Sequence, residues 1–528
     1  MSESFEGREL QPDVITLNTM ISACGKGGQW AKALEMFGSM EDRGLKPNEI
    51  TLNAAISACE KGGKMVEALK LLDSMEGRGL KPNIITLNAA ISACEKSGHW
   101  PKALKLLDSL QGRSLHHNVI TLNAAISACA KGGQWVKALV LLDSMEGRGL
   151  QPNVVTLSAA ISACEKGGHW SKALELLESM EGRGLQPNVI TVNASISACE
   201  KGGQWAKALE LLESMEGRGL KPNVVSFSAA ISACEKGGKW AKALELLEIM
   251  EDRGLQPNVI TLSAAISACE KGGQWAKALE LLESMEGRGL QPNVITLSAA
   301  ISACEKSGKW AKALELLESM KDRGLQPDVG ALNAAIKACE KAGHPTKALK
   351  LFESMEVEPD IITLTTAISA FAKSGQWIKA LEQFDSIAGR GLQADVVSYA
   401  TIIEALEAAS RLERAMDIML DAHQRGLFAQ VWSNDKKKMD LHDCSAAVSR
   451  AVIGCLLRDI RSGAQPCQDI TIITGRGNSS SGGKAVLPID VRLFLMEAKG
   501  PPFTDVPTNP GCLVLKAKDL REWLRRRA

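Results

Sequence analysis

Short polar side chains recur every 35 residues through most of this chain: Asn18, Asn53, Asn88, Asn123, Ser158, Asn193, Ser228, Ser263, Ser298 and Asn333, followed at a shorter interval by Thr365, with the apolar Ala400 at the last such place. The residues around them change much less, so these are places where one stretch differs from the next. Asn, Ser and Thr carry donors and acceptors on a short stem, the chemistry that reading the edge of a nucleobase requires. They are also poor helix formers inside an apolar pattern of helical spacing, which favours selection for something other than helix stability. A second series, Asn48, Asn83, Asn118, Asn153, Asn188, Asn223, Asn258, Asn293, Asp328, Asp360 and Asp395, stands just before the next apolar pattern. Asn or Asp there is an effective helix N-cap and equally a second polar group facing a ligand; spacing alone supports both readings. A third series is cationic: Lys26, Lys61, Lys96, Lys131, Lys166, Lys201, Lys236, Lys271, Lys306, Lys341 and Lys373. Such a ladder can track phosphates, or it can offset the negative end of a helix dipole.

A repeated helix pair must position these groups. In residues 259–293, VITLSAAISACEKGGQWAKALELLESMEGRGLQPN, the side chains Leu262, Ala265, Ile266 and Cys269 fall at helical spacing, Lys271-Gly272-Gly273 breaks the pattern, and Trp275, Ala278, Leu279, Leu282 and Met285 resume it. Gly287-Arg288-Gly289 stops the second helix, and Pro292 obliges the next unit to start a new one. Nine such units of 35 residues run from residue 14 to 328; the tenth, residues 329–360, lacks three residues, and the eleventh and twelfth, residues 361–395 and 396–430, regain full length. Residues 1–13 are similar to the tail of an earlier unit. Neither helix buries its apolar stripe alone, so the units are expected to stack into a superhelix with a concave face. The recurring tryptophan, from Trp30 to Trp377, lies on the stripe of the second helix and reads as packing.

At 528 residues the chain exceeds what one core organises, in keeping with a repeat architecture. Lys+Arg at 62 against Asp+Glu at 61 gives a net charge of +1, so a basic surface requires segregated charges. No run of 18 or more apolar residues offers a membrane span. Ten of the 14 cysteines recur with the 35-residue period, from Cys24 to Cys339, so they read as reduced packing residues in a reducing compartment. The first ten residues read as neither a secretory signal nor an Arg-rich, acid-poor transit peptide.

A 35-residue helix pair headed V-[IV]-T-L-N, with Ala-Leu in its second helix and Gly-Leu-x-Pro-[ND] at its tail, resembles the P-type pentatricopeptide repeat over about four-fifths of the chain. The tetratricopeptide repeat differs in period and signature. The resemblance implies single-stranded RNA as partner, read one base per repeat by the fifth and last residues together. On that basis Asn18/Asn48, Asn53/Asn83, Asn88/Asn118, Asn123/Asn153 and Asn193/Asn223 imply pyrimidines, while Ser158/Asn188, Ser228/Asn258 and Ser263/Asn293 imply A. Ser298/Asp328 and Thr365/Asp395 imply G, Asn333/Asp360 implies U, and Ala400/Gln430 matches no pair. The implied site is 5′-YYYYAYAAGUG-3′. The resemblance also makes the second residue of each unit a base-stacking group: Ile15, Ile50, Ile85, Ile120, Val155, Ile190, Val225, Ile260, Ile295, Ile362 and Val397, with Gly330 departing in the tenth unit.

Beyond residue 430 the period is lost. A basic linker, residues 431–438, leads into an expected small α/β domain, residues 439–528. There the pattern predicts an extended entry at 439–442, a helix at 445–461, a buried strand at 470–474, a helix carrying Val486, Ile489, Leu493 and Met496, a strand at 512–516 and a basic helix at 520–527. Its glycine loop offers backbone amides and Arg476 to a phosphate. A Walker loop is excluded because Asn478 stands at the required glycine and Ala485 at the Ser/Thr. Asp440-Leu441-His442, Thr474-Gly475-Arg476-Gly477 and Asn509-Pro510-Gly511 resemble the small MutS-related (Smr) domain. That resemblance implies nucleic-acid binding and, in several members, endonuclease activity, with Asp440 and His442 as catalytic residues; alternatively both hold the first strand against the loop. It departs at Ser479 or Ser480, where many members have histidine, and at Met439 in place of leucine. Without a Cys-x-x-Cys pair, His442, Cys444, Cys455 and Cys467 make a poor zinc site.

The fold expected is therefore an all-α superhelical solenoid of helix-turn-helix repeats followed by a small α/β, Smr-like domain. Three functions follow: sequence-specific RNA binding in organellar RNA processing, stabilisation or translation, a guided endoribonuclease, or a protein-binding scaffold. RNA binding calls for no cofactor, whereas a nuclease could use a divalent metal; no membrane is implied. Chloroplast, or else mitochondrion, is the location the resemblance implies.

Overall fold

The computed structural model describes residues 12–113, 115–433, 437–475, 486–507 and 509–526. They fall into two compact units, Met1–Gly272 and Gly273–Ala528.

In the first unit 13-residue helices alternate with tight turns: Val14–Lys26 and Trp30–Asp42, Glu49–Lys61 and Met65–Gly77, and so on to Val259–Lys271. Each first helix starts where the residue before it can cap it. Asp13 accepts from Thr16 N, and Asn48, Asn83 and Asn153 form capping boxes with Thr51, Thr86 and Thr156. Each first helix of this unit ends at its lysine, and a glycine such as Gly28, at φ +73°, reverses the chain in a conformation that other residues adopt with strain.

The core repeats with the sequence. Leu52, Ile56, Ala58 and Cys59 have no exposed surface, and their equivalents in neighbouring repeats are buried alike. Small residues bring first helices close: a Cβ placed on Gly25 would lie 3.0 Å from Ala58 Cβ. Burial pushes the thiols of Cys59, Cys94, Cys129, Cys164, Cys199 and Cys234 up to about 11, which makes them inert packing groups as expected. The tryptophans are half-buried between repeats: a Cβ on Gly202 would meet Trp170 Cδ1 at 2.1 Å, and Lys207 Nζ lies 5.0 Å above the same ring. Second helices are also linked by charge, with Arg183 on Glu146 at 2.5 Å and Arg218 on Glu181. Half-exposed pairs of this kind contribute about 0–1 kcal/mol each.

The second unit continues the helix pairs from Trp275–Gly287 to Leu412–Gln424. The three-residue deletion falls on one second helix, which shrinks to Pro345–Glu353. After a 3₁₀ turn at Ala429–Val431 come strand β1 (Lys438–Asp440), helix Ala446–Ser462, strand β2 (Ile470–Ile473), helix Val486–Glu497, strands β3 (Thr504–Val506) and β4 (Asn509–Leu515), and helix Ala517–Arg525. The four strands form one sheet in the order β1-β2-β4-β3, with β1 parallel to β2 and the other pairs antiparallel.

The expected linker at 431–438 is partly built into this fold. Val431 is buried, Trp432 bridges to Met439, and Lys438 already belongs to β1. One hydrophobic cluster runs from Ile336 in the repeats to Trp523 in the last helix. Helix Ala446–Ser462 packs on the final repeat: Gly454 faces Met416, where a Cβ would lie 2.8 Å from Sδ, and Arg458 pairs with Asp417 at 2.9 Å. Arg450 joins Glu407 of the repeats to Asp490 of the following helix.

Candidate functional site

Position two of the repeat is exposed and aliphatic. Ile15, Ile50, Ile85, Ile120, Val155, Ile190, Val225, Ile260, Ile295, Ile362 and Val397 are 55 to 74% exposed, in contrast to the buried leucine two residues on in most repeats. A single exposed Ile needs no explanation, but one at the same register of nearly every helix pair marks a face that awaits an apolar partner. The fifth residue lies one helical turn beyond it.

In at least five repeats the fifth and last residues touch. Asn18 Nδ2 donates to Asn48 Oδ1 at 3.4 Å, Asn123 to Asn153 at 3.3 Å, Asn193 to Asn223 at 3.3 Å, Ser298 Oγ to Asp328 Oδ1 at 3.0 Å and Asn333 Nδ2 to Asp360 Oδ1 at 3.1 Å. The shortened repeat thus keeps its pair intact. The last residue is an N-cap as well: Asn188 Oδ1 accepts from Thr191 N at 2.9 Å, and Asp328 Oδ1 from Ala331 N at 2.8 Å. Capping occupies Oδ1, so the cap itself leaves over Nδ2 of an Asn, a donor, or Oδ2 of an Asp, an acceptor. The N-cap reading of this position holds, and capping uses only one of the two polar atoms of the side chain. Asn83 departs, since its Nδ2 donates to Glu49, which stands where most repeats carry Val.

The lysine ladder has partners that spacing does not reveal. Lys96 pairs with Glu60 at 2.6 Å, Lys131 with Glu95 at 2.9 Å, Lys201 with Glu165 at 2.5 Å and Lys236 with Glu200 at 2.8 Å, each reaching the preceding repeat. In the second unit Lys341 holds Glu305 at 2.7 Å and Lys373 holds Glu340 at 2.6 Å. Where Ala130 replaces the glutamate, Lys166 Nζ reaches Lys131 O at 3.4 Å instead. These lysines link repeats, and their charge is partly neutralised.

In the sheet region the chain brings together residues far apart in sequence. Leu441 N donates to Ile473 O at 2.8 Å, Thr474 N to Gly511 O at 2.8 Å, and a Cβ on Gly475 would lie 3.1 Å from His442 Cβ. Asp440, His442, Thr474, Gly475 and Gly511 therefore meet at one end of β1 and β2. His442 Nδ1 is 2.6 Å from Asp440 Oδ1, and its Nε2 is 2.9 Å from Asp443 Oδ2, a partner the sequence reading missed. The hydrogen bond to Asp440 holds the imidazole above its ordinary pKa, favouring the doubly protonated ring. Arg476 and Gly477 lie outside the described residues. His442 directs both ring nitrogens at carboxylates, and among the described residues no group of three or more His, Cys, Asp or Glu is arranged to hold a metal. Nor, among them, is any helix long and apolar enough to cross a membrane.

Comparison with known proteins bears on the repeats. The sequence matches the PPR repeat family over residues 12–61 and 49–94, the pentacotripeptide-repeat region of PRORP over 120–289 and 193–359, and the PPR repeat over 85–115 and 362–392. No curated protein matches it. The fold is similar to that of the pentatricopeptide repeat protein PPR10 from maize, at 20% identity and a TM-score of 0.54 over 94% of this chain and 78% of that one. A structure of PPR10 with an 18-nt psaJ RNA element is similar at 19% identity and 0.39, over 87% and 84%. The PPR domain of protein-only RNase P 1 from Arabidopsis thaliana, in complex with tRNA, is similar at 18% identity and 0.32, over 35% of this chain and 97% of that one.

Proposed function

Since the chain belongs to the pentatricopeptide-repeat family, we propose that it binds single-stranded RNA in a sequence-specific manner, one base per repeat. The observation that carries this reading is the joint repetition of an exposed aliphatic residue with a hydrogen-bonded fifth/last pair one turn away. An unstacked base needs an apolar surface for its face and polar groups for its edge. Ile190 and its equivalents offer the first; the pair offers the second.

The atoms left over by capping give the pairs a chemical logic. A last-position Asn donates through Nδ2, which suits the ring acceptors of A and C; an Asp accepts through Oδ2, which suits the ring N–H of G and U. The site proposed is 5′-YYYYAYAAGUG-3′. Selection from a random RNA pool tests it: enriched sequences carry that string in that register, whereas a protein-binding scaffold enriches nothing. Lysines already paired with glutamates predict a shallow salt dependence, below the slope of roughly −0.7 per phosphate that a free ladder would contribute.

A second reading is favoured by the junction of Asp440, His442, Gly475 and Gly511: an Smr-like domain that acts on the bound RNA. With Nδ1 held by Asp440, a protonated His442 can deliver its Nε2 proton to the leaving oxygen once that nitrogen leaves the exposed Asp443 carboxylate, while a water or the neighbouring 2′-hydroxyl attacks phosphorus. The metal this resemblance suggests does not fit the residues, so no step runs through one. Specific cleavage of bound RNA, lost in Asp440→Ala with binding retained, supports the nuclease; an intact bound RNA refutes it.

A further inference from the structure

Most fifth-position side chains have a neighbour in the third residue of the following repeat. Thr86 Oγ1 donates to Asn53 Oδ1 at 2.5 Å, Thr121 to Asn88 at 2.5 Å, Thr156 to Asn123 at 2.6 Å, Ser226 to Asn193 at 2.6 Å and Thr363 to Asn333 at 2.5 Å. Where the fifth residue is itself a hydroxyl the two groups meet likewise, Ser158 with Thr191 at 2.6 Å and Ser228 with Thr261 at 2.6 Å. All these third-position residues are fully buried.

A hydroxyl has one proton to donate. Thr156 lies 2.6 Å from Asn123 Oδ1 and 3.1 Å from Asn153 Oδ1, so the shorter contact takes the proton. Holding the amide oxygen inward fixes the amide nitrogen on the opposite side, where one proton goes to the last residue, Asn123 Nδ2 to Asn153 Oδ1 at 3.3 Å, and the second is left for a ligand. Freed of that contact, an Asn can turn over and present an acceptor instead.

Two repeats supply natural controls. Repeat nine is followed by Ala331, which has no hydroxyl, and Ser298 Oγ turns to Asp328 Oδ1 at 3.0 Å. In repeat one, Thr51 donates to Asn48 Oδ1 at 3.0 Å and Asn18 Oδ1 is left buried without a partner, so that only the long 3.4 Å bond from Asn18 Nδ2 to Asn48 Oδ1 orients this amide.

We propose that the third-position hydroxyl of the following repeat is a positioning residue for base selection. It fixes a fifth-position Asn with its nitrogen outward, so that the repeat selects a base with an acceptor there, the O2 that cytosine and uracil share. This rests on the RNA reading above, and it makes selection at each base depend on three side chains from two repeats.

The test uses the full chain and two pairs of labelled RNAs, differing only at the fourth base (C or A), read by Asn123, or only at the sixth, read by Asn193. Thr156→Val removes the hydroxyl at nearly constant shape, and Thr156→Ser keeps it. The expected result is a C preference at the fourth base that falls by roughly tenfold in Thr156→Val and returns in Thr156→Ser, with preference at the sixth base unchanged. Uniformly weaker binding with the fourth-base preference retained overturns the inference and assigns Thr156 to helix capping alone. A native protein without preference at either base overturns the RNA reading and this inference together. Thr156 Oγ1 also accepts from Asn153 N at 3.1 Å, so a melting curve must show the variant folded. Should it not be, Ala331→Thr supplies the missing hydroxyl and is expected to change base preference at the ninth position severalfold; no change there overturns the inference.

Discussion

Replacing Asn188 by Asp separates the two roles of the last position. Asn188 Oδ1 accepts from Thr191 N at 2.9 Å and from Thr191 Oγ1 at 3.0 Å, and an Asp makes the same contacts, as Asp360 does with Thr363 at 2.8 and 2.7 Å. Asn and Asp cap equally well, so stability should move by no more than about 0.5 kcal/mol, upward if the helix dipole favours the new charge. Ser158 keeps its contact with Thr191 at 2.6 Å. Only the outward atom changes, from a donor to an acceptor, which exchanges the complement of A for that of G. A buried polar group left facing the wrong base costs about 1–3 kcal/mol, or roughly 5- to 150-fold in affinity. Fluorescence anisotropy with two RNAs that differ only at the fifth base reads the ratio directly. The native protein should favour A and Asn188→Asp should favour G. A variant that melts like the native protein yet still prefers A would refute the assignment of Nδ2 as the reading atom.

Three further outcomes follow. Ile190→Ser removes an aliphatic group that is 70% exposed, so the melting temperature should hold within a degree or two while RNA affinity falls by about 1 kcal/mol; equal binding by the variant contradicts a stacking role. His117 stands where most repeats carry proline, both its ring nitrogens are buried without partners, and burial lowers its pKa, so its contribution is present above the ordinary value of 6.5 and is lost as pH falls through the depressed one. His117→Pro should stabilise by roughly 1–2 kcal/mol, more at pH 5 than at pH 8, in chemical denaturation. His442 shifts the opposite way, so its contribution is complete below 6.5 and disappears as pH rises through the raised value; NMR titration should place it above 6.5, and Asp440→Asn should return it towards 6.5.

The repeat register was legible because nine near-copies state it: the predicted starts at Val14, Ile84 and Val259 and the predicted ends at Lys26, Lys96 and Lys271 are those of the helices. Position two is exposed, as the proposed stacking role requires. What lay beyond the sequence was partnership across repeats. Spacing presents Lys201 as a free cation, but its distance to Glu165 depends on how closely two repeats stack. Likewise Thr156 reads as part of a nearly constant frame until packing puts it against Asn123, 33 residues earlier. In the C-terminal region the helices and β2 and β4 were visible as apolar runs. Strand β3 was missed, since Thr504-Asp505-Val506 is a short, mostly exposed edge strand with no apolar alternation, held by pairing to β4. The meeting of His442 with Gly475 fits the alternative in which Asp440 and His442 hold the first strand against the loop; the bond of His442 to Asp443 had no counterpart in the sequence pattern.

The central claim is that each repeat reads one RNA base through its fifth and last residues. Equilibrium titration of the full chain with 5′-CUCUAUAAGUG-3′ and with the same eleven bases in scrambled order tests it most directly, at one fixed salt concentration. The account predicts that the ordered RNA binds at least a hundredfold more tightly, since several mismatches at about 1–3 kcal/mol each accumulate in the scrambled one. Equal dissociation constants for the two RNAs would contradict it.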